Sequence, residues 1–237
     1  MAASQTYVDG AFRPCSPPRA LRSDEIPGLV ADYAHAARCA MDAGFDGVEV
    51  HAANGYLIDQ FMRDSVNDRS DAWGGGIEQR TQFLVEVMQA VAAQAGAGRT
   101  GIRLSPVNPG NGAGQDSDPQ ALYGRAVERI APLKLAYLHV IEGQTGGARD
   151  IASFDYPRLR RSFGGAWMVN NGYDRTMALA AVASGAADLV AFGKPFIANP
   201  DLGHRLRDGV PLNDPDRNTF YGGGAAGYTD YPKLQAA

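Results

Sequence analysis

The sequence has few cysteines, no long apolar run and no sign of a secretory leader. Its 237 residues include only Cys15 and Cys39, and one possible pair in a chain of this size is not a disulfide framework. No apolar stretch approaches the roughly 20 residues that a membrane span needs. The start, MAASQTYVDG, lacks the basic and apolar regions of a signal peptide. These absences predict a cytoplasmic protein with no membrane partner.

Clusters of positive charge and metal-ligand spacings are also missing. The formal net charge is −4 and no run of lysine or arginine occurs, so a phosphate backbone would find no extended basic surface. We therefore expect no nucleic acid partner. The four histidines have no metal-binding spacing to one another or to the cysteines, and we expect no metal.

What is present is the composition of a globular domain, with 45% hydrophobic and 20% charged residues. Residues 1–24 contain three prolines and no sustained period, which predicts a flap or connector. From residue 25 to 237, helical patterns and short apolar runs alternate. Helices are predicted over residues 23–43, 78–95, 119–133, 156–162, 174–184 and from Asn199 onward.

Short buried strands are predicted over residues 45–50, 100–104, 136–141, 167–170 and 188–192. Apolar strands separated by helices imply parallel strands joined by right-handed crossovers. A closed (β/α)8 barrel needs eight strands. The α/β pattern therefore leaves two architectures open, an open doubly wound sheet or a barrel that lacks its first strands.

The carboxyl ends of the strands are where either architecture forms its active site. The first predicted strand leads into His51, Asn54 and Tyr56. An imidazole and a carboxamide can donate two hydrogen bonds to one oxygen, while the phenol offers a proton to a neighbouring atom. Each residue could instead satisfy loop carbonyls or fill the core. Their occurrence together at a strand end favours function.

Arg103 lies inside the buried strand pattern TGIRLSP. A guanidinium there needs an anionic or polar partner because it does not lose its charge cheaply. The sequence leaves two partners open, a structural ion pair with Glu49 or a negatively charged cofactor ring.

The loops after the last two predicted strands contain glycines and open onto helices, at residues 170–173 and 193–195. In many barrels the corresponding loops form a phosphate site, because backbone N–H groups and a helix N-terminus favour an anion. Lys194 would add a positive charge. The alternative for either loop alone is an ordinary capped turn.

Several separated motifs together resemble the Old Yellow Enzyme family of NAD(P)H:flavin oxidoreductases, over residues 7–234. In order, they are AGFDGVEVHAANGYLIDQFMRD, DRSDAWGGGIEQRTQF, GIRLSP, NNGYD, AFGKPFIANPDL, TFYGGG and GYTDYP. The resemblance implies a (β/α)8 TIM barrel with FMN across its C-terminal mouth, NADPH or NADH as reductant, and a small activated alkene as substrate.

The resemblance also implies roles for individual residues. His51 and Asn54 would bind the carbonyl or nitro oxygen of the alkene, and Tyr56 would protonate its α carbon. Arg103 would lie against the edge of the flavin that becomes negative on reduction. The remaining implied residues are Tyr221 near the substrate and Asn171, Gly172, Gly193 and Lys194 around the FMN phosphate.

Two of these positions depart from the family pattern. Lys194 stands where arginine is commoner, which exchanges a bidentate fork for a point charge. Asn171 replaces a usual glycine, which is tolerable because asparagine accepts left-handed backbone angles. The family also has a segment before this point that holds the first barrel strands, in agreement with the count of five.

Three hypotheses follow. The first is an FMN-dependent ene-reductase. The second is a truncated remnant or split half that needs a second copy or a complementing chain. The third is a flavin-free barrel acting on sugar phosphates, which the His51, Asn54 and Tyr56 cluster disfavours because it contains no Schiff-base lysine or strong general base.

Overall fold

The computed structural model describes residues 5–8, 11–221 and 224–234. Contacts between Cα atoms divide the chain into two compact units, Met1–Asn171 and Gly172–Ala237. No helix within the described residues is both long and apolar enough to cross a membrane.

The first described residues form an antiparallel hairpin of strands β1 (Gln5–Val8) and β2 (Ala11–Pro14). The sequence predicted only a flap or connector in this region, because four-residue strands give too few positions to establish a period. Pro14 lies at the open end of the hairpin, opposite Gln5, where a missing N–H removes no interior hydrogen bond from the ladder.

Four parallel strands form the sheet of the first unit: β3 (Val48–His51), β4 (Thr100–Leu104), β5 (Tyr137–Ile141) and β6 (Ala166–Asn170). They lie side by side in chain order, and each neighbouring pair is parallel, as the sequence predicted. The register sets His51 opposite Arg103 and Arg103 opposite His139. The carboxyl ends of the strands therefore share one edge.

The two faces of this sheet differ in polarity. Successive strand residues point to opposite sides, so the register puts Glu49, His51, Arg103, Tyr137 and His139 on one face. The other face carries buried apolar side chains, namely Val50, Ile102, Leu104, Leu138, Val140, Trp167 and Val169. The titratable side chains of these strands thus lie on a single face of the sheet.

The described residues of the first unit contain six α-helices: α1 (Ile26–Asp42), α2 (Leu57–Met62), α3 (Ile77–Arg80), α4 (Gln82–Ala95), α5 (Pro119–Ile130) and α6 (Tyr156–Phe163). Helix α1 packs against α4, and α5 against α6. The side chains of Asp118 and Asp155 accept hydrogen bonds from the first turns of α5 and α6, which satisfies free N–H groups at the helix ends.

The first unit differs from the sequence prediction in one additional helix, one divided helix and one strand that begins later. Helix α2 was not predicted, since six residues are too few for a clear helical period. The helix predicted over 78–95 is two helices that meet at Thr81, which is the C-cap of α3 and the N-cap of α4. Strand β3 begins after Phe45, because the Phe45 N–H still bonds to the carbonyl of Ala40 and Gly44 has φ +90°.

The second unit contains helix α7 (Arg175–Ala183), strand β7 (Leu189–Val190), helix α8 (Lys194–Ala198) and helix α9 (Leu202–Asp208). The helix predicted from Asn199 begins only at Leu202, and α8 precedes it. Asn199 and Asn213 bond to each other through side-chain and backbone atoms, and this pairing occupies the segment between the two helices.

Candidate active site

Polar residues from neighbouring strands meet at the carboxyl edge of the sheet. His51 ends β3 and pairs in register with Arg103 of β4. Asn170 ends β6, and its Oδ1 atom accepts a hydrogen bond of 2.9 Å from Nη2 of Arg103. Strands distant in sequence thus supply one group of side chains at the edge that the sequence predicted.

Arg103 has no carboxylate within ion-pair distance in the part of the chain that the structure describes. Its Nε atom is buried and has no hydrogen-bond partner there. Burial lowers the pKa of the Arg103 guanidinium, and the charge of Glu49 opposes this shift. Of the two partners left open by the sequence, the ion pair with Glu49 is therefore not formed.

Glu49 is instead held by β5. Its Oε2 atom lies 2.9 Å from Nδ1 of His139. Burial raises the pKa of the Glu49 carboxyl, but hydrogen bonds from His139 and Tyr137 outweigh burial, and the net shift is downward. Burial together with Glu49 raises the pKa of Tyr137 to about 12. This contact of Glu49 with His139 and Tyr137 was not predicted from the sequence, although the alternation of polar and apolar residues in YLHVI could have indicated it.

His51 contacts the ring of Tyr56, with centroids 5.0 Å apart and planes tilted by 56°. The Nδ1 atom of His51 is buried without a hydrogen-bond partner among the described residues. Burial lowers the pKa of the His51 imidazole, and the charge of Arg103 lowers it further. This downward shift favours the neutral ring, which keeps one N–H donor.

Tyr56 is the N-cap residue of α2, and 52% of it is exposed to solvent. Its N–H bonds to the carbonyl of Ala53, and its own carbonyl accepts from Gln60. These backbone bonds fix the start of α2, while the phenol hydroxyl makes no hydrogen bond within the described residues. The hydroxyl is therefore free to meet a ligand.

Asn54 adopts a left-handed backbone conformation with φ +59°, which asparagine tolerates better than most residues. Its N–H donates to Oγ of Ser105 at 2.7 Å. Its Oδ1 atom accepts hydrogen bonds from Nδ2 of Asn108 at 2.8 Å and from Oγ1 of Thr145 at 2.7 Å. The side chain is thus held by the loops that follow β4 and β5, a network that sequence reasoning did not find.

A cavity of about 280 Å³ opens beside these residues. Its lining comprises Asn54, Tyr56, Asn108, Pro109, Gly110, Asn111, Gln144 and Thr145. Two of the predicted site residues, Asn54 and Tyr56, line it, whereas His51 and Arg103 do not. The cavity therefore lies beside the loop residues of the predicted site and not beside its two strand residues, His51 and Arg103.

A buried ion pair supports the loops around the cavity. Asp59 on α2 and Arg63, the C-cap residue of α2, are fully buried, and their closest side-chain atoms lie 2.8 Å apart. Asp59 also accepts from the N–H of Gly55 and from the hydroxyl of Tyr123. Arg63 donates to the carbonyls of Ser105, Asn108 and Gly114. One pair thus fixes both the loop that carries Asn54 and the loop after β4.

Asn171 closes the first unit with φ +123°. Its Nδ2 atom donates to the carbonyls of Glu142, Gln144 and Gly147. The side chain is therefore engaged in organising the loop after β5. A ligand at this position would meet the backbone of Asn171 rather than its carboxamide.

The other predicted phosphate-site residues belong to the second unit. Gly172 has φ +65°. Gly193 is the N-cap of α8, and Lys194 is its first residue, so this predicted loop does open onto a helix. Tyr221 is 81% exposed, and its ring lies 6.5 Å from that of Phe220. The phosphate site itself stays a prediction.

No group of three or more histidine, cysteine, aspartate or glutamate residues suited to a metal occurs in residues 5–8, 11–221 and 224–234.

The sequence matches one family over most of its length. A sequence model described as the NADH:flavin oxidoreductase / NADH oxidase family matches residues 2–213. Putative 12-oxophytodienoate reductase 10 of Oryza sativa subsp. japonica is 50% identical over 238 residues, which cover 97% of this chain and 75% of that protein. 12-Oxophytodienoate reductase 2 of Arabidopsis thaliana is 46% identical over 224 residues, which cover 93% of this chain and 60% of that protein.

Solved structures give the same result. The old yellow enzyme homologue from Zymomonas mobilis has a TM-score of 0.90 and 40% identity, and the match covers 98% of this chain and 66% of that one. Morphinone reductase in complex with tetrahydroNAD has a TM-score of 0.88 and 42% identity, with coverage of 99% and 66%. The likeness confirms the predicted TIM barrel that lacks some of its strands. The chain spans between 60% and 75% of the length of these four relatives.

Proposed function

This chain belongs to the NADH:flavin oxidoreductase / NADH oxidase family, and we propose that it carries the substrate site of an FMN-dependent ene-reductase. The reaction is the reduction of an activated C=C bond, in an enone, nitroalkene or maleimide, with NADPH or NADH as reductant. The relatives named above as 12-oxophytodienoate and morphinone reductases support a reductase. The complex of morphinone reductase with tetrahydroNAD supports a nicotinamide reductant.

The observation that carries the proposal is the meeting of two donors and a phenol at one edge of the sheet. His51 lies against Tyr56, and burial favours the neutral form of its imidazole. The Oδ1 atom of Asn54 already accepts two hydrogen bonds, so its amide nitrogen is the donor left for a ligand. A site of this kind binds an oxygen acceptor and has a hydroxyl beside it.

Arg103 fits a flavin. Its buried Nε atom has no partner in the described part of the chain, and burial lowers the pKa of the guanidinium more than the charge of Glu49 raises it. The electron-rich edge of a flavin ring would satisfy this atom and would be stabilised by the positive charge when the ring is reduced. The same arginine would then serve both binding and chemistry.

The phosphate of FMN is assigned to Asn171, Gly172, Gly193 and Lys194. Gly172 has a left-handed backbone, and Gly193 precedes the first turn of α8. Glycine allows close approach of backbone N–H groups to an anion, and Lys194 supplies charge. Tyr221 is assigned to the substrate side.

Bound FMN, once reduced by NADPH or NADH, would supply the hydride for the β carbon of the alkene. His51 and Asn54 donate hydrogen bonds to the activating oxygen, and this stabilises the negative charge that develops there. Tyr56 gives its hydroxyl proton to the α carbon, which completes the two-electron reduction of the double bond. Because Tyr56 is half exposed, solvent can return the proton to the phenolate.

Titration with FMN tests the proposal. The chain at saturating FMN should perturb the flavin absorbance spectrum, and Arg103→Met should weaken this binding. In a complete or complemented enzyme that has been reduced anaerobically with NADPH or NADH, an enone, a nitroalkene and N-ethylmaleimide should each reoxidise the flavin. A spectrum identical to that of free FMN at every chain concentration would reject the function.

A second candidate is a remnant or split half that needs a complementing chain or a second copy. Two observations favour it: the chain spans 60% of the Arabidopsis relative, and α7 has no buried residue and exposes Leu179 and Val182. An apolar helix face of this kind requires a cover. A chain that binds FMN only when a second polypeptide is supplied would support this candidate.

A further inference from the structure

Three loops at the carboxyl edge of the sheet are joined by hydrogen bonds between Asn54, Asn108 and Thr145. Nδ2 of Asn108 lies 2.8 Å from Oδ1 of Asn54 and 3.1 Å from Oγ1 of Thr145. Oγ1 of Thr145 lies 2.7 Å from Oδ1 of Asn54. Each of the three residues follows a different strand, and all three line the cavity.

The backbone sets the direction of these hydrogen bonds. The N–H of Thr145 donates to Oδ1 of Asn108 at 3.3 Å, and a backbone N–H can only donate. Asn108 must therefore present its oxygen to Thr145 and its NH2 group to Asn54. Asn54 in turn must present its oxygen to Asn108, because two NH2 groups cannot bond to each other.

The result is a carboxamide with one possible orientation. Both lone pairs of Asn54 Oδ1 are occupied, by Asn108 and Thr145. A rotation that exchanges the oxygen and nitrogen of Asn54 would set its NH2 group against the NH2 group of Asn108 and would lose the hydrogen bond between these two side chains. Its Nδ2 atom makes no hydrogen bond within the described residues and is the only group left for a ligand.

The backbone of Asn108 is also held in place. Its backbone carbonyl accepts a hydrogen bond of 2.8 Å from Nη1 of the buried Arg63. Gly110 approaches so closely that a Cβ atom there would lie 2.8 Å from Nδ2 of Asn108. The Asn108 carboxamide therefore has little room to turn.

We propose that Asn108 and Thr145 are positioning residues that hold the Asn54 carboxamide with its NH2 group toward the ligand. They make the site select ligands with an oxygen acceptor at this point and reject ligands that present a donor. The inference rests on the proposed function, since it assigns to Asn54 the activating oxygen of the alkene. It adds two residues outside the motifs that identify the family.

Thr145→Val and Asn108→Asp test the proposal. The valine keeps the size of threonine but removes the hydroxyl, and Thr145→Ser is the matched control that restores it. Aspartate keeps the acceptor for the Thr145 N–H but gives Asn54 an acceptor in place of a donor, so the Asn54 NH2 group should turn away from the ligand. The first probe is cyclohexenone, whose oxygen only accepts, with affinity measured on the FMN-loaded chain.

The Thr145→Val variant should bind cyclohexenone about fivefold more weakly, which corresponds to the loss of one neutral hydrogen bond. Asn108→Asp should lose more affinity for cyclohexenone than Thr145→Val, and the affinity of Thr145→Ser should equal that of the wild type. Equal affinity in all four proteins would overturn the proposal.

A second readout does not depend on flavin or substrate. In the 15N-labelled chain alone, the side-chain NH2 signals of Asn54 should shift in Thr145→Val and Asn108→Asp but not in Thr145→Ser. Asn54→Ala identifies these signals by their loss. If wild type binds no enone, the proposed function fails, and the NH2 signals still decide the positioning role. Signals that stay unchanged in both test variants would overturn it.

Discussion

The rings of His51 and Tyr56 lie in contact, with centroids 5.0 Å apart, although one residue ends a strand and the other starts a helix. The turn between them includes Asn54 and Gly55, both with positive φ. A Cβ atom at Gly55 would lie 2.2 Å from the carbonyl oxygen of Gly110. Only a chain that reverses this tightly brings the imidazole and the phenol to one ligand.

Tyr56→Phe should slow alkene reduction and leave flavin reduction by NADPH or NADH nearly unchanged. The phenol supplies a proton that only the oxidative half-reaction needs, and a positioned proton donor contributes on the order of 10²-fold or more. Stopped-flow measurement of each half-reaction in a complete or complemented enzyme checks this. Tyr228→Phe, at another exposed tyrosine, is the control. Equal losses in both half-reactions would refute the role.

Replacement of His51 or Asn54 by alanine should weaken the binding of a phenol. Both side chains donate to the same ligand oxygen in the proposed site, and the loss of a hydrogen bond to a charged phenolate costs about 1.5–3 kcal/mol, which is tenfold or more in affinity. Spectral titration of the FMN-loaded chain measures the change. His35→Ala, on α1, should have no effect. If neither site variant changes the affinity, the two residues do not form an oxygen clamp.

Arg103→Met should raise the pKa of His51 toward its ordinary value of 6.5 without reaching it, because burial is the larger cause of the downward shift and Arg103 the second. A lowered histidine pKa means that the unfolded chain binds the proton more readily. The contribution of His51 to the free energy of unfolding is therefore fully present above pH 6.5 and is lost as the pH falls below that value.

Two-dimensional NMR titration of the His51 ring measures its pKa in the wild type and in Arg103→Met. Arg99→Met removes an exposed cation just before β4 and should leave the titration unchanged. An identical His51 midpoint in wild type and Arg103→Met would show that the guanidinium does not act on the imidazole.

Arg63→Met should destabilise the fold by about 3–5 kcal/mol, because it leaves the buried carboxylate of Asp59 without its charge partner. Tyr123→Phe removes one hydrogen bond from the same carboxylate and should cost about 1–3 kcal/mol. Urea unfolding measures both. Arg125→Met breaks only exposed ion pairs, with Glu78 and Glu128, and should change stability little. A loss in Arg63→Met no larger than in this control would contradict the assignment.

The 237-residue chain on its own should not be a competent ene-reductase. Strand β3 pairs on one side only among the described strands, which leaves backbone N–H and C=O groups unpaired at an edge. We expect weak FMN retention, aggregation or association with a second chain. Gel filtration after FMN loading, beside the full-length Zymomonas homologue, measures this. A monomer that keeps stoichiometric FMN and reduces an enone as fast as the homologue would contradict it.

The sequence alone determined the alternation of the parallel strands with the longer helices and the location of the predicted substrate residues. Strand β4 has the predicted bounds, because five consecutive positions give a buried strand a clear pattern. His51, Asn54 and Tyr56 could be found because a short motif holds all three residues at a strand end. Short elements such as α2, and the bounds of β3, depended on capping hydrogen bonds that have no period in the sequence.

Tertiary structure alone decided which side chains became partners. Arg103 bonds to Asn170, 67 positions away, and not to Glu49, which is held by His139, 90 positions away. The two hydrogen bonds that orient Asn54 join residues 54 and 91 positions apart. A local pattern records the period of an element, whereas these contacts depend on register between strands and on the course of three loops. The sequence therefore located the donors, and the folded chain fixed the direction in which each one points.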